Sequence, residues 1–186
     1  MDDSSIWAVS PYLSLIFIRS NIKLVMSAKT IVSAIFIIVV IVIVGWFYKS
    51  YKTAPALPAY ENDLINEQGQ AVKIADFKGS YVLISYFQTW CGDCIRELTT
   101  IDNLQATVGK DKLKVLMVTD EGWEKTNRFK EKYCNTLDYY QSAKALNELN
   151  IRVFPTTYLL NQEGIVIMSK LERYDWNNQE VIDKIH

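Results

Sequence analysis

Apolar positions along this chain follow two patterns, one continuous and one periodic. Thr30 to Tyr48 (TIVSAIFIIVVIVIVGWFY) carries no charged residue. At about 1.5 Å per residue, such a run crosses a hydrocarbon core of about 30 Å as one helix. Beyond residue 61, short apolar runs alternate with amphipathic ones. Tyr81 to Phe87 and Leu113 to Thr119 are nearly continuous, as strands buried on both faces are. Cys94, Leu98, Ile101, Leu104 and Val108 recur at three- and four-residue spacings and predict an amphipathic helix that Gly109 ends. Ala71 to Ile74 predicts a short strand between turns at 66–70 and 76–79. Glu124 to Tyr133 predicts a charged surface helix and Ser142 to Leu149 a shorter one. Thr157 to Leu160 and Ile165 to Met168 flank a turn as a hairpin, and Asn178 to Ile185 closes as a helix. Strands that first alternate with helices and then pair as a hairpin imply an α/β domain, a mixed central sheet flanked by helices.

Between the two patterns, Tyr51 to Tyr60 with Pro55 and Pro58 has the composition of an extended tether. The expected organisation is an N-terminal segment 1–29, a transmembrane anchor 30–48, a tether 49–60 and a globular domain 61–186. Trp46, Phe47 and Tyr48 fall where an interfacial aromatic belt would, followed by Lys49 and Lys52. Ala54-Pro55-Ala56 lies too far beyond the apolar core for a signal-peptide cleavage site, so the helix is read as retained. Arg19, Lys23 and Lys29 before the span outnumber the two lysines after it, which favours an N-inside topology. Ile6 to Ile18 is short and interrupted by Pro11. Met26-Ser27-Ala28-Lys29 reads as an alternative start, with 1–25 an upstream extension.

Charge narrows the partners. Residues 53–186 hold 15 Lys/Arg against 19 Asp/Glu, and nucleic acid is excluded as a partner for want of a basic surplus. Three cysteines form no disulfide framework. The only histidine is His186, which argues against a Ser-His-Asp triad, a Cys-His dyad and a Cys2His2 zinc site.

Cys91-Gly92-Asp93-Cys94 follows the first long strand and opens the amphipathic helix, which makes thiol–disulfide exchange the leading chemistry. At a helix N-terminus, free N–H groups and the macrodipole favour a Cys91 thiolate, the expected nucleophile. Cys94, one turn later, would attack the mixed disulfide. Asp93 opposes the thiolate, disfavours the dithiol and predicts a reductant, with a potential nearer about −270 mV than about −120 mV. Spacing alone makes Glu97 an exposed glutamate paired with a lysine, Pro155 a trans proline, and Cys134 a structural thiol or a regulatory one.

Three separated motifs alter those readings. Asp76-Phe77-Lys78-Gly79 precedes the strand, Trp90-Cys91-Gly92-Asp93-Cys94 is followed three residues later by Glu97, and Phe154-Pro155-Thr156-Thr157-Tyr158-Leu159 precedes the hairpin. In this order they resemble a thioredoxin-like fold and, more narrowly, the membrane-anchored TlpA/ResA-like thiol–disulfide oxidoreductases, over roughly 61–186. The resemblance implies a redox-active Cys91–Cys94 disulfide and a catalytic set of Cys91, Cys94 and Glu97, with Glu97 handling the Cys94 proton. It also implies a cis Pro155 facing the cysteines, a Phe154 backbone that pairs with substrate and a Trp90 wall for the same groove, although a core tryptophan fits as well. No cofactor and no metal are implied. Expected partners are protein disulfides, apocytochrome c among them, a membrane or extracytoplasmic thiol donor, and membrane lipid around 30–48. The expected location is the cytoplasmic membrane, single-pass, with the domain on the periplasmic or extracytoplasmic side.

Departures from the family are Asp93 and Thr99, where it usually has proline, and Ser85, where cytosolic thioredoxins bury an aspartate. That proton-handling role therefore does not transfer to Ser85. Two other readings stay open: an oxidase or isomerase, and a metal-binding or scaffold module using Cys91 and Cys94 as ligands.

Overall fold

The computed structural model describes residues 28–52, 54–56 and 63–185. The expectations for the upstream extension and for tether residues 53 and 57–60 lie outside the described residues; residues 49–52, expected as tether, are instead the end of a helix. Helix α1 spans Ala28–Lys52, and its Lys29–Tyr48 stretch is long and apolar enough to cross a membrane. Phe36, Ile41 and Trp46 are exposed along it.

The second unit begins with two short strands, β1 (Leu64–Ile65) and β2 (Ala71–Val72), joined by a turn that the Asn66 side chain closes on the Gln70 N–H at 2.8 Å. A 3-10 turn at Ile74–Phe77 leads to β3 (Tyr81–Tyr86). Helix α2 (Gly92–Val108), β4 (Leu113–Thr119), helix α3 (Trp123–Tyr133) and β5 (Asp138–Ser142) follow. The hairpin β6 (Thr156–Leu160) and β7 (Val166–Leu171) and the final helix α4 (Gln179–Ile185) complete it. The seven strands form one sheet in the order β2-β1-β5-β4-β3-β6-β7. Strands β3, β4 and β5 are parallel and the outer pairs antiparallel. This is the mixed sheet expected from the sequence.

Strand periodicity sorts the core into two layers. Leu83 on β3 and Phe87 just beyond it, Val115 and Met117 on β4 and Leu159 on β6 pack with Leu98, Ile101 and Leu104 of α2, Phe129 of α3, and Trp176, Val181 and Ile185. Val82, Ile84, Tyr86, Leu116, Val118, Tyr158 and Leu160 face the other way, against Ile74, Leu146, Leu149 and Ile151. The tether joins that second layer at its end: Ala54 packs on it and the Tyr158 hydroxyl donates to the Pro55 carbonyl at 2.8 Å.

One expected element is corrected. Ser142–Leu149 is not a helix: Ser142 ends β5, and 143–150 is a series of turns. Asp120 takes the Leu146 N–H at 2.9 Å, and single turns from Ala145 and Asn147 put Leu146, Leu149 and Ile151 into the core. Asn150, at φ 60, prevents the turns from propagating. The expected strand Ala71–Ile74 is likewise shorter, because Asp76 caps the Lys73 N–H at 2.9 Å and turns Ile74 into the 3-10 segment.

Candidate active site

Cys91 is the N-cap of α2, and its sulfur accepts the Cys94 N–H at 3.1 Å. The sequence makes this junction abrupt. Phe87 ends the β3 run with its N–H on the Val118 carbonyl, and Gln88 to Trp90 turn the chain into the helix within three residues. Two acidic side chains from the end of β4 brace that turn. Gln88 Nε2 donates to Asp120 at 2.6 Å and the Thr89 N–H to Glu121 at 2.6 Å. Cys91 and Cys94 are joined by a disulfide across a Cα–Cα separation of 5.3 Å. Both are buried, Cys94 more deeply than Cys91. That difference suits an approachable nucleophile and a sheltered resolving thiol.

The Phe154–Pro155 peptide is cis, and the Pro155 carbonyl accepts the Glu172 N–H at 2.9 Å. Trp90 is 71% exposed, with its ring edge-to-face on Phe154 at 6.1 Å. It is therefore a surface side chain rather than a core tryptophan. Asp93 is half-exposed and paired with Arg96 at 2.6 Å, so its charge is partly neutralised by a residue just beyond the motif.

Glu97 reverses the exposed, lysine-paired reading that spacing alone gives. It is 1% exposed and touches no lysine. Its Oε1 accepts the Trp176 indole N–H at 2.9 Å and the Tyr174 backbone N–H at 3.0 Å. Its Oε2 lies 3.1 Å from Thr157 Oγ1 and 3.5 Å from Ser85 Oγ. Burial pushes the carboxyl up from 4.5 to about 7, against the four hydrogen bonds, which favour the charged form. A carboxyl poised there exchanges protons near neutral pH, as general acid–base chemistry requires.

The sequence reading linked none of the four partners to Glu97. Ser85 is named there only as the place where cytosolic thioredoxins bury an aspartate, and Thr157 only as part of the Phe154–Leu159 motif. Tyr174 and Trp176 lie in an irregular segment whose destination no periodicity reveals. Cys134 is half-buried against the first core layer, with its sulfur 3.2 Å from Thr136 Oγ1. Among the described residues, no group of three or more His, Cys, Asp or Glu could hold a metal ion.

Comparison with known proteins agrees with this geometry. The AhpC/TSA family pattern matches residues 53–169. The chain belongs to the AhpC/TSA family. It is 28% identical over 149 residues to the thioredoxin-like protein YneN of Bacillus subtilis, covering 74% of this chain and 87% of that one. It is 27% identical over 120 residues to the thiol-disulfide oxidoreductase ResA of Geobacillus kaustophilus, covering 62% and 69%. Among solved structures, StoA of Bacillus subtilis superposes with a TM-score of 0.54 at 22% identity, over 70% of this chain and 98% of that one. The thioredoxin domain of a Bacteroides vulgatus thiol-disulfide oxidoreductase gives 0.61 at 18%, over 72% and 100%. These structural likenesses concern the fold. With its cysteine pair and these relatives, this AhpC/TSA member is a thiol–disulfide oxidoreductase of the thioredoxin-like class, whose substrates are protein disulfides.

Proposed function

We propose that the protein is a membrane-anchored, extracytoplasmic disulfide reductase in which Cys91 attacks, Cys94 resolves and Glu97 takes the Cys94 proton. The observation that carries the reading is the buried Glu97 carboxyl, one helical turn from Cys94 and titrating near 7. In the reduced protein the Cys91 thiolate attacks a substrate disulfide and expels one thiolate. Glu97 then removes the Cys94 proton, the Cys94 thiolate closes the disulfide on Cys91, and the second substrate sulfur leaves as thiolate. Trp90, Phe154 and cis Pro155 supply the groove, where the Phe154 backbone pairs with an extended substrate segment as an added strand. The charge bias around the apolar helix supports a domain outside the cytoplasm. A membrane or extracytoplasmic thiol donor then has to regenerate the dithiol.

Asp93 supports the reductive direction, since a carboxylate next to Cys91 disfavours the thiolate and hence the dithiol. Its pairing with Arg96 limits the effect. A redox titration placing the midpoint well below that of a strong oxidant, with insulin reduction at neutral pH, is the expected outcome; a midpoint near about −120 mV would reverse the direction. Replacing Cys94 by Ser should leave substrates covalently held on Cys91, with apocytochrome c the first client to look for. Trapping by Cys91→Ser instead would exchange the roles of the two cysteines.

A further inference from the structure

The two oxygens of Glu97 have unlike surroundings. Oε1 receives an indole N–H and a backbone N–H, groups that only donate, so a proton placed there would face two others. Oε2 meets the hydroxyls of Thr157 and Ser85, which lie 2.9 Å from each other and both donate and accept. The pairing is built into the sheet. Ser85 on β3 and Thr157 on β6 are direct cross-strand partners, and strand alternation turns both toward α2, in the layer of Leu83 and Leu159. Both are buried to within 1% of full coverage, where an unsatisfied hydroxyl would be costly.

We propose that Ser85 and Thr157 form a switchable hydroxyl pair that fixes the Glu97 proton on Oε2. This rests on the reading of Glu97 as the acceptor of the Cys94 proton. When Glu97 is ionised, the hydroxyls donate to Oε2. When the Cys94 S–H bond breaks and the proton arrives, the new Oε2–H donates to Thr157 Oγ1, and the Thr157 hydrogen turns to Ser85 Oγ. The Cys94 electron pair forms the bond to Cys91 Sγ as the Cys91–substrate bond breaks. The departing substrate thiolate then takes up the Glu97 proton. Both protonation states keep their hydrogen bonds, so the carboxyl titrates in the interior without rearrangement. Thr157 and Ser85 are positioning residues for Glu97.

Among the described residues, no ionised side chain competes for this role. Strands β3 and β6 present no charged residue to Glu97. On α2 its charged neighbours Asp93 and Arg96 are at the surface and paired with each other. On the segment after β7, Arg173 and Asp175 are exposed, and on β7 itself Lys170 lies over the outer Tyr174 ring at 4.4 Å. The titratable partner left is Cys94.

The test is the pH profile of resolution in the full chain, followed by stopped-flow fluorescence after mixing reduced protein with oxidised glutathione between pH 5 and 9. In the wild type the Glu97 limb falls near 7. Thr157→Val, close in shape but without the hydroxyl, is expected to move the limb upward by roughly half to one pH unit. Thr157→Ser is expected to bring it back, and Thr157→Val added to Glu97→Gln to change the profile no further. If Thr157→Val does not fold, Ser85→Ala replaces it, with a smaller shift in the same direction. An unmoved limb in the valine variant, or equal shifts in the serine and valine variants, overturns the hydroxyl pair alone. A limb near 7 that survives in Glu97→Gln overturns both the pair and the reading of Glu97.

Discussion

Asp93 and Glu97 are carboxylates four residues apart on one helix, and the fold gives them opposite physics. Asp93 sits in the first turn, in water and beside Arg96; solvent and the guanidinium spread its charge, and an exposed pair of this kind contributes about 0–1 kcal/mol. Glu97 faces the sheet, with two N–H groups and two hydroxyls in place of a cation. Dipoles stabilise its anion enough to make ionisation accessible but not enough to cancel burial. Burial thus raises the proton affinity of Glu97 against the dipoles around it, whereas solvent and Arg96 screen the charge of Asp93.

The two carboxyls should part most widely in kinetics. Glu97→Gln is expected to slow mixed-disulfide resolution by roughly 10²-fold or more, within the usual range for lost acid–base catalysis. Asp93→Asn should change the same rate less than about threefold, because an exposed charge is screened. Single-turnover mixing with a disulfide substrate measures both, and equal losses would abolish the distinction.

Stability separates them next. Because the folded Glu97 carboxyl titrates near 7 and the unfolded one near 4.5, folding is not penalised by this group below about pH 4. Stability is then lost as pH rises through 7, by roughly 3 kcal/mol in the limit. A glutamine in its place would present its carbonyl to the two N–H donors and its amide nitrogen to the hydroxyls. Glu97→Gln should therefore be the more stable protein above pH 8 and indistinguishable below pH 4, as denaturant melts at the two pH values would show. An unchanged difference across that range would mean that the Glu97 carboxyl titrates alike in the folded and unfolded chains, without the upward shift that burial gives.

Smaller effects follow at the surface. Trp90→Ala is expected to raise KM severalfold with kcat nearly unchanged, and to alter stability by less than about 0.5 kcal/mol, since the ring is largely exposed. A loss confined to kcat would move Trp90 out of the groove and into the chemistry. Smallest is the Asp93→Asn midpoint potential, expected to rise by roughly 10–20 mV for an exposed charge already paired with Arg96. A fall would show that Asp93 mainly stabilises the helix rather than opposing the thiolate.

Legibility from sequence followed periodicity. Strands β3 and β4 and helix α2 were readable because burial on one or both faces leaves a period in the chain itself. Strand β5 was not. Asp138-Tyr-Tyr-Gln-Ser has no apolar run and becomes a strand because β4 on one side and β1 on the other offer it hydrogen-bonding partners. The helix expected at 142–149 shows the converse: Leu146 and Leu149, at helical spacing, are claimed by the second core layer and the Leu146 N–H by the Asp120 carboxylate, and so short a segment cannot nucleate a helix alone. Cys91, Cys94 and Pro155 could be named from motifs, but the burial of Glu97 could not be read from its spacing.

Local features came from the chain alone: an apolar span long enough for a bilayer, the strand–Cys–x–x–Cys–helix junction, and the order of elements that a mixed sheet needs. The surroundings of Glu97 came from tertiary structure. Ser85, Thr157 and Trp176 lie between 12 and 79 residues along the chain from Glu97, to which they bond. Only the pairing of β3 with β6 and the return of the segment after β7 bring them together. A carboxyl's proton affinity is set by the water removed from it and the dipoles aimed at it, and both belong to the folded neighbourhood rather than to the residue.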